Sequence, residues 1–138
     1  MCHEARVGAV VRCMPLVHIT GRHDVRTLRA LGEVVHDALV AAIGIPADDR
    51  FQILTSATEE TLIADPDYLG HHRESPAIVE ITLSAGRSND QKRALYATIA
   101  DGARAVGIRA DDIMIVLHEN TRVDWSFGGG IAQYVRSG

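Results

Sequence analysis

Two stretches of the chain carry the same order of hydrophobic and polar positions. Leu16-Val17-His18-Ile19-Thr20 and Ile78-Val79-Glu80-Ile81-Thr82, 62 residues apart, line up position by position and both read as short β-branched strands. Each is followed by a segment with helical periodicity. Over 23–43, Leu28, Leu31, Val35, Leu39 and Ile43 recur at three- and four-residue steps and fall on one face. Over 89–106, Leu95, Ile99, Ala103 and Val106 do the same, and Ser88 with Gln91 has the spacing of a capping box that fixes where that helix starts. Gly44 and Gly107 stand where a helix C-terminus favours a left-handed residue. Second strands then follow at 51–55 and 113–117.

The chain therefore predicts one supersecondary unit used twice, 15–57 and 77–120, in the order strand, helix, strand. A right-handed crossover makes the two strands of each unit parallel. Two units give an α/β (α+β) domain: a four-stranded mixed sheet with two helices on one face. The other face lacks a cover, yet 113–117 is apolar at every position, as in a strand buried on both sides. The simplest cover is the same face of another subunit, so the pattern predicts a homo-oligomer.

Between the units, 58–76 is polar, contains Pro66, Gly70 and Pro76, and reads as a long connection. After Glu119 the composition changes: three of the six aromatic residues, Trp125, Phe127 and Tyr134, fall in a C-terminal arm, 121–138, beside Gly128, Gly129 and Gly130. Such an arm fits packing against a partner or lining a pocket.

At 138 residues, with 46% hydrophobic and 23% charged residues, the chain suits a single domain. A formal charge of −4 argues against nucleic-acid or anionic-membrane binding, which need a clustered cationic face. No apolar run approaches a membrane span of about 18 residues. Both cysteines, Cys2 and Cys13, precede Met14, so no disulfide can staple the domain proper, and a cytoplasmic location is expected.

Met14-Pro15-Leu16-Val17 opens the first unit, Gly86-Arg87-Ser88 with Gln91-Lys92-Arg93 opens the second helix, and Asn120-Thr121, Asp124-Trp125-Ser126-Phe127-Gly128 and Ala132-Gln133-Tyr134 close the chain. With the doubled βαβ unit, these residues resemble the tautomerase superfamily (4-oxalocrotonate tautomerase-like, MIF-like) in its fused form, and within it the malonate semialdehyde decarboxylase group. The resemblance runs from Met14 to about Val135. It implies a cofactor-free, metal-free enzyme, a homotrimer, acting on a small keto or enol carboxylate. It further implies that Pro15 is the catalytic acid or base through a free N-terminal amine, that Asp49 partners it, that Arg87 binds the substrate carboxylate, and that Trp125, Phe127 and Tyr134 form an apolar wall.

Physical chemistry supports these roles and leaves alternatives beside them. An apolar pocket lowers the pKa of a secondary amine towards neutrality and a neighbouring carboxylate raises it, so Pro15 and Asp49 together can tune a proton-transfer group. Met14-Pro15 could instead simply begin a strand. Asp111-Asp112 occupies the place of Asp48-Asp49 in the second unit, so Asp49 could equally belong to a helix-to-strand turn. Arg87 could be a solvated loop arginine, and the three aromatics could be core or interface. Where the malonate semialdehyde decarboxylase group usually has a second arginine, two residues before Arg87, this chain has Ala85; Arg73, in the connection, is another cation available.

The first 14 residues are the obstacle to chemistry at Pro15. Joined to Met14, the proline nitrogen is a tertiary amide with neither a proton nor a basic lone pair. The expectation is that 1–14 is a mis-called start or is removed, leaving a tautomerase domain over 15–138. The function expected is a tautomerase; a decarboxylase or hydratase is the alternative, and a silent anion-binding oligomer is what a blocked Pro15 would leave. Adjacent His71 and His72 cannot converge on one ion, Cys2, His3 and Cys13 sit in an unpatterned leader, and the triple glycine lacks the lysine of a phosphate loop.

Overall fold

The computed structural model describes residues 5–6, 9–10 and 15–135. A two-residue pair of strands, β1 (Ala5–Arg6) and β2 (Ala9–Val10), forms an antiparallel ladder. The domain proper follows as β3 (Leu16–Gly21), α1 (Val25–Ala38), β4 (Phe51–Ser56), β5 (Ala77–Ser84), α2 (Asn89–Ala105) and β6 (Ile113–Asn120). Its sheet has the order β4-β3-β5-β6, parallel within each unit and antiparallel where β3 meets β5. The two expected βαβ units are thus joined through their first strands into one mixed sheet.

Alternation along the strands decides the two faces. Val17 and Ile19 of β3 and Val79, Ile81 and Leu83 of β5 are buried against the helices. They meet Leu28, Leu31, Val35 and Leu39 from the first helix and Leu95, Ile99 and Ala103 from the second. Truncating one of the fully enclosed members, such as Ile19 or Leu95, to alanine is expected to cost about 2–5 kcal/mol. The helices approach closely at Gly102, where a Cβ would come within 2.6 Å of Val34 Cγ1.

Local signals set the ends of the helices. Asp24 caps α1 by accepting from the Thr27 N–H at 2.7 Å, and Ser88 with Gln91 forms the expected capping box on α2. The first helix extends past its α-helical span as a π-turn over Leu39–Ile43 and stops at Gly44, whose φ of 81° admits the left-handed end. Within the long connection, Arg73 Nη1 donates to the Tyr68 and His71 carbonyls of its own loop. His71 and His72 turn to different carboxylates, Asp111 and Asp67. Cys2, His3 and Cys13 lie outside the described residues.

On the other face of the sheet, Phe51, Ile53 and Met114 are each about half exposed, and Leu16, Ile78 and Val116 lie between them. A short polar row crosses its middle: Glu80 lies between His18 and His118. β6, apolar throughout 113–117, is an edge strand of the chain's sheet and has helices on one side only.

Candidate active site

Register brings four chain segments to one end of the sheet. Leu16 is paired with Phe51 on one side and with Thr82 on the other, and Ser84 is paired with Asn120. The starts of β3 and β4 therefore lie at the same end as the finishes of β5 and β6. Pro15, the turn carrying Asp49, the loop carrying Arg87 and the arm beginning at Thr121 all emerge there. Parallel pairing brings the first two together in one unit and the last two together in the other, and the antiparallel pairing of β3 with β5 brings the two sets to one end.

Pro15 is buried and lines a cavity of about 370 Å³ with Leu16, Phe51, Asp124, Trp125, Ser126 and Phe127. Its walls are mainly apolar, and its one ionisable lining group is Asp124. Hydrogen bonds from Thr121, first its backbone N–H and then its hydroxyl, hold the Asp124 carboxyl below the ordinary carboxylate range. Trp125 is fixed by donating its Nε1–H to Asn120 Oδ1 at 2.7 Å and stacks on Phe127 at a centroid distance of 5.5 Å. Phe127 in turn meets Tyr134 edge-on at 4.8 Å. The arm folds back through a turn of three glycines with positive φ, closed by Gln133, which accepts from the Phe127 N–H and donates to the Gly128 carbonyl.

Arg87 is half buried just before the capped start of α2, and its Nη1 donates to the carbonyl of Ser84. Burial lowers the pKa of the guanidinium; Glu119 and Tyr134 oppose this. It is not a solvated loop arginine. Asp49 is 1% exposed, in a turn whose N–H bonds back to Pro46. That turn is tied to α1 by His36, whose Nε2–H donates to the Ala47 carbonyl at 2.7 Å.

Of the residues singled out in the sequence, Pro15, Trp125 and Phe127 share one cavity, and Tyr134 extends the aromatic series towards Arg87. Arg87 and Asp49 lie at the same end of the sheet without being among that cavity's lining residues. Sequence reasoning missed Leu16, Phe51, Asp124 and Ser126 in the lining, and the buried His36 and Ser84. Two were within reach of periodicity, since Leu16 and Phe51 open the paired strands and share a face. His36 and Ser84 look like ordinary polar residues until the packing buries them. Among the described residues no group of His, Cys, Asp and Glu is arranged to hold a metal ion, and no helix is long and apolar enough to cross a membrane.

This fold, with a proline-lined cavity at the end of a doubled βαβ sheet, defines a class that comparison with known proteins identifies. Family models for tautomerase enzymes match residues 15–72 and 49–128. A probable tautomerase of Bacillus subtilis, YusQ, is 36% identical over 127 residues, covering 88% of this chain and 99% of that protein. Another from the same organism, YrdN, is 33% identical, covering 88% and 97%. FG41 malonate semialdehyde decarboxylase inhibited by 3-bromopropiolate superimposes with a TM-score of 0.78 at 38% identity, over 88% of this chain and 93% of that one. A symmetric trimer of wild-type fused 4-OT gives a TM-score of 0.66 at 27% identity, over 85% and 93%. The chain belongs to the tautomerase superfamily, in its malonate semialdehyde decarboxylase-like group.

Proposed function

We propose that the chain works as a cofactor-free tautomerase, with the secondary amine of Pro15 moving a proton on a small keto or enol carboxylate. The observation that carries this is the mainly apolar cavity against Pro15, walled by the Trp125–Phe127 stack. An apolar wall disfavours the ammonium and leaves a basic lone pair at neutral pH. Neutral Pro15 takes a proton from the enol oxygen or the α-carbon and returns it to the other atom, so the substrate isomerises with no net change. Arg87 holds the carboxylate, and Asp49 favours the protonated amine and sets how much of each form is present. The amine exists only in a chain that begins at Pro15, and the tautomerase match over residues 15–72 starts at that residue. On the open sheet face, the half-exposed Phe51, Ile53 and Met114 support assembly with further copies of the chain, as a homotrimer.

The 38% identity to a malonate semialdehyde decarboxylase favours one second reading. With Pro15 protonated, the amine acts as an acid towards the carbonyl of a 3-oxo acid while the carboxylate leaves as carbon dioxide.

The test is a chain started at Met14, from which the methionine is removed, its N-terminus verified by intact mass. Assayed on a panel of 2-keto and 3-oxo acids, it should ketonise the first class, with loss of turnover in Pro15→Ala. Turnover unchanged in Pro15→Ala, or equal turnover in a chain that keeps residues 1–14, rejects the assignment. Carbon dioxide release from 3-oxo acids without ketonisation selects the decarboxylase. Carboxylate binding with no turnover on either class leaves an anion-binding oligomer.

A further inference from the structure

Two polar atoms at the Pro15 end of the sheet are enclosed and find no hydrogen-bond partner among the described residues: the hydroxyl of Ser84 and Nη2 of Arg87. Orphaned buried donors are uncommon, and a guanidinium nitrogen is among the more costly to leave unmatched. They are also neighbours. Arg87 Nη1 is bonded to the carbonyl of Ser84, so the second nitrogen of the same planar group lies beside the residue whose hydroxyl is unmatched.

The ladder puts Ser84, with Arg87 bonded to its carbonyl, at the end of the sheet that carries the cavity, although neither is among the cavity's lining residues. Strand alternation puts Ser84 on the same sheet face as Thr82, and Thr82 is the direct partner of Leu16. Leu16 and Phe51, paired with each other, line the cavity against Pro15. Ser84 is thus the diagonal neighbour of a lining residue, one step further towards the end where Pro15 sits, within the roughly 7–8 Å that such neighbours span. Its side chain is 5% exposed, so the hydroxyl has no contact with bulk water to satisfy it.

We propose that Ser84 Oγ and Arg87 Nη2 form one two-point site for a single carboxylate of the substrate, a deepening of the function proposed above and dependent on it. A carboxylate accepts from a guanidinium N–H with one oxygen and from a hydroxyl with the other, which satisfies both orphans at once. Ala85 supplies no second cation, so the partner of Arg87 in this chain is a neutral donor. One cation and one hydroxyl balance one negative charge. The ionised Asp124 in the cavity wall opposes a second. The site therefore selects monocarboxylic 2-keto acids with an apolar tail over dicarboxylates.

The experiment uses the chain beginning at Pro15, with phenylpyruvate as probe and its methyl ester as control. Ser84→Ala should raise KM for the acid roughly tenfold or more, with kcat within about a factor of two. Ser84→Thr, which keeps the hydroxyl, should restore it. Thermal melting of Ser84→Ala should be equal to or above that of the parent, because an unmatched hydroxyl has been removed. A structural role alone would lower it instead. Ser84→Cys, nearly isosteric and a poor donor, carries the same expectation should the alanine variant melt early.

Binding is also read without turnover. In a Pro15→Ala background, quenching of Trp125, the single tryptophan, should show phenylpyruvate bound at least tenfold more weakly when Ser84 is also alanine, roughly the loss of one hydrogen bond to a charged group, and the ester bound equally by both. Equal binding of the acid with and without Ser84 overturns the proposal. So does an equal loss for acid and ester. Because this arm needs no catalysis, it separates failure of the two-point site from failure of Pro15 as the proton-transfer group.

Discussion

The two βαβ units share an architecture, and the proposed function asks them to use the same acid differently. Asp49 ends the helix-to-strand turn of the first unit at 1% exposure, and Asp112 ends that of the second at 3%. The role of Asp112 is structural. It accepts the backbone N–H of Glu74 at 2.8 Å, holding the chain three residues before β5 begins, with Arg109 Nη1 at 3.5 Å. By the internal repeat, the corresponding role for Asp49 would be to hold the chain before β3. On the function proposed above, in a chain that begins at Pro15 the proline amine would stand where that upstream N–H stands in the second unit.

Pro15 is where this comparison breaks most sharply. Its counterpart in the second unit is Ala77, at the start of β5 and fully buried. Pro15→Ala in the processed chain exchanges the rigid secondary amine for a primary one and should lower turnover towards the roughly 10²–10⁴ of a lost general acid or base, with the fold intact by circular dichroism. A smaller loss would mean that the two units differ less in chemistry than their sequences suggest.

Removing each acid in turn sharpens the contrast. Asp49→Asn should lower kcat by about tenfold or more and move the pH dependence of kcat to lower pH, since a carboxylate that favours the protonated amine has gone. Asp112→Asn should leave the pH profile in place and lower stability by about 1–3 kcal/mol through the weakened clasp on Glu74. Urea titration and pH–rate profiles of both variants decide the matter. Matching profiles would return Asp49 to the turn-forming role its twin performs.

Much of this contrast was legible in the sequence because it rests on periodicity. The repeat of 16–20 at 78–82, the helical spacing of the leucines and the Ser88–Gln91 box are local signals, and local geometry obeyed them. What was not legible is three-dimensional satisfaction. Asp49 and Asp112 read alike as letters, and that Asp112 clasps the Glu74 N–H appears only in three dimensions. Likewise the sequence leaves a solvated loop arginine open beside a carboxylate-binding Arg87, and only its burial and its bond to the Ser84 carbonyl set the loop reading aside. His36 could not be picked out either, since its hydrogen bond to Ala47 depends on how α1 settles on the turn. The π-turn that extends α1 also escaped the periodicity, because a single wide turn shifts the phase without breaking the apolar face.

Stability around the carboxylate-bearing turn gives a smaller effect. His36 is 7% exposed and donates to the Ala47 carbonyl; no histidine occupies the matching turn of α2. His36→Leu leaves that carbonyl without its donor and should cost about 1–3 kcal/mol in chemical denaturation. His36→Gln, which can present an N–H to the same oxygen, should recover part of it.

The smallest effect separates the helix starts. α1 is capped by a carboxylate and α2 by a hydroxyl, so acid should loosen one and spare the other. The backbone N–H of Thr27 is the main cause holding Asp24 below its ordinary value of 3.8. A group with a depressed folded pKa contributes stability in full above its unfolded pKa and loses it as pH falls through the folded one. Amide exchange in the first turn of α1, corrected for intrinsic rates, should therefore accelerate below about pH 4, while the first turn of α2 holds its protection. Asp24→Asn keeps an oxygen for the Thr27 N–H without the charge and should flatten that response. If both helix starts open together on acidification, the loss is global, and the cap chemistry does not distinguish the two units.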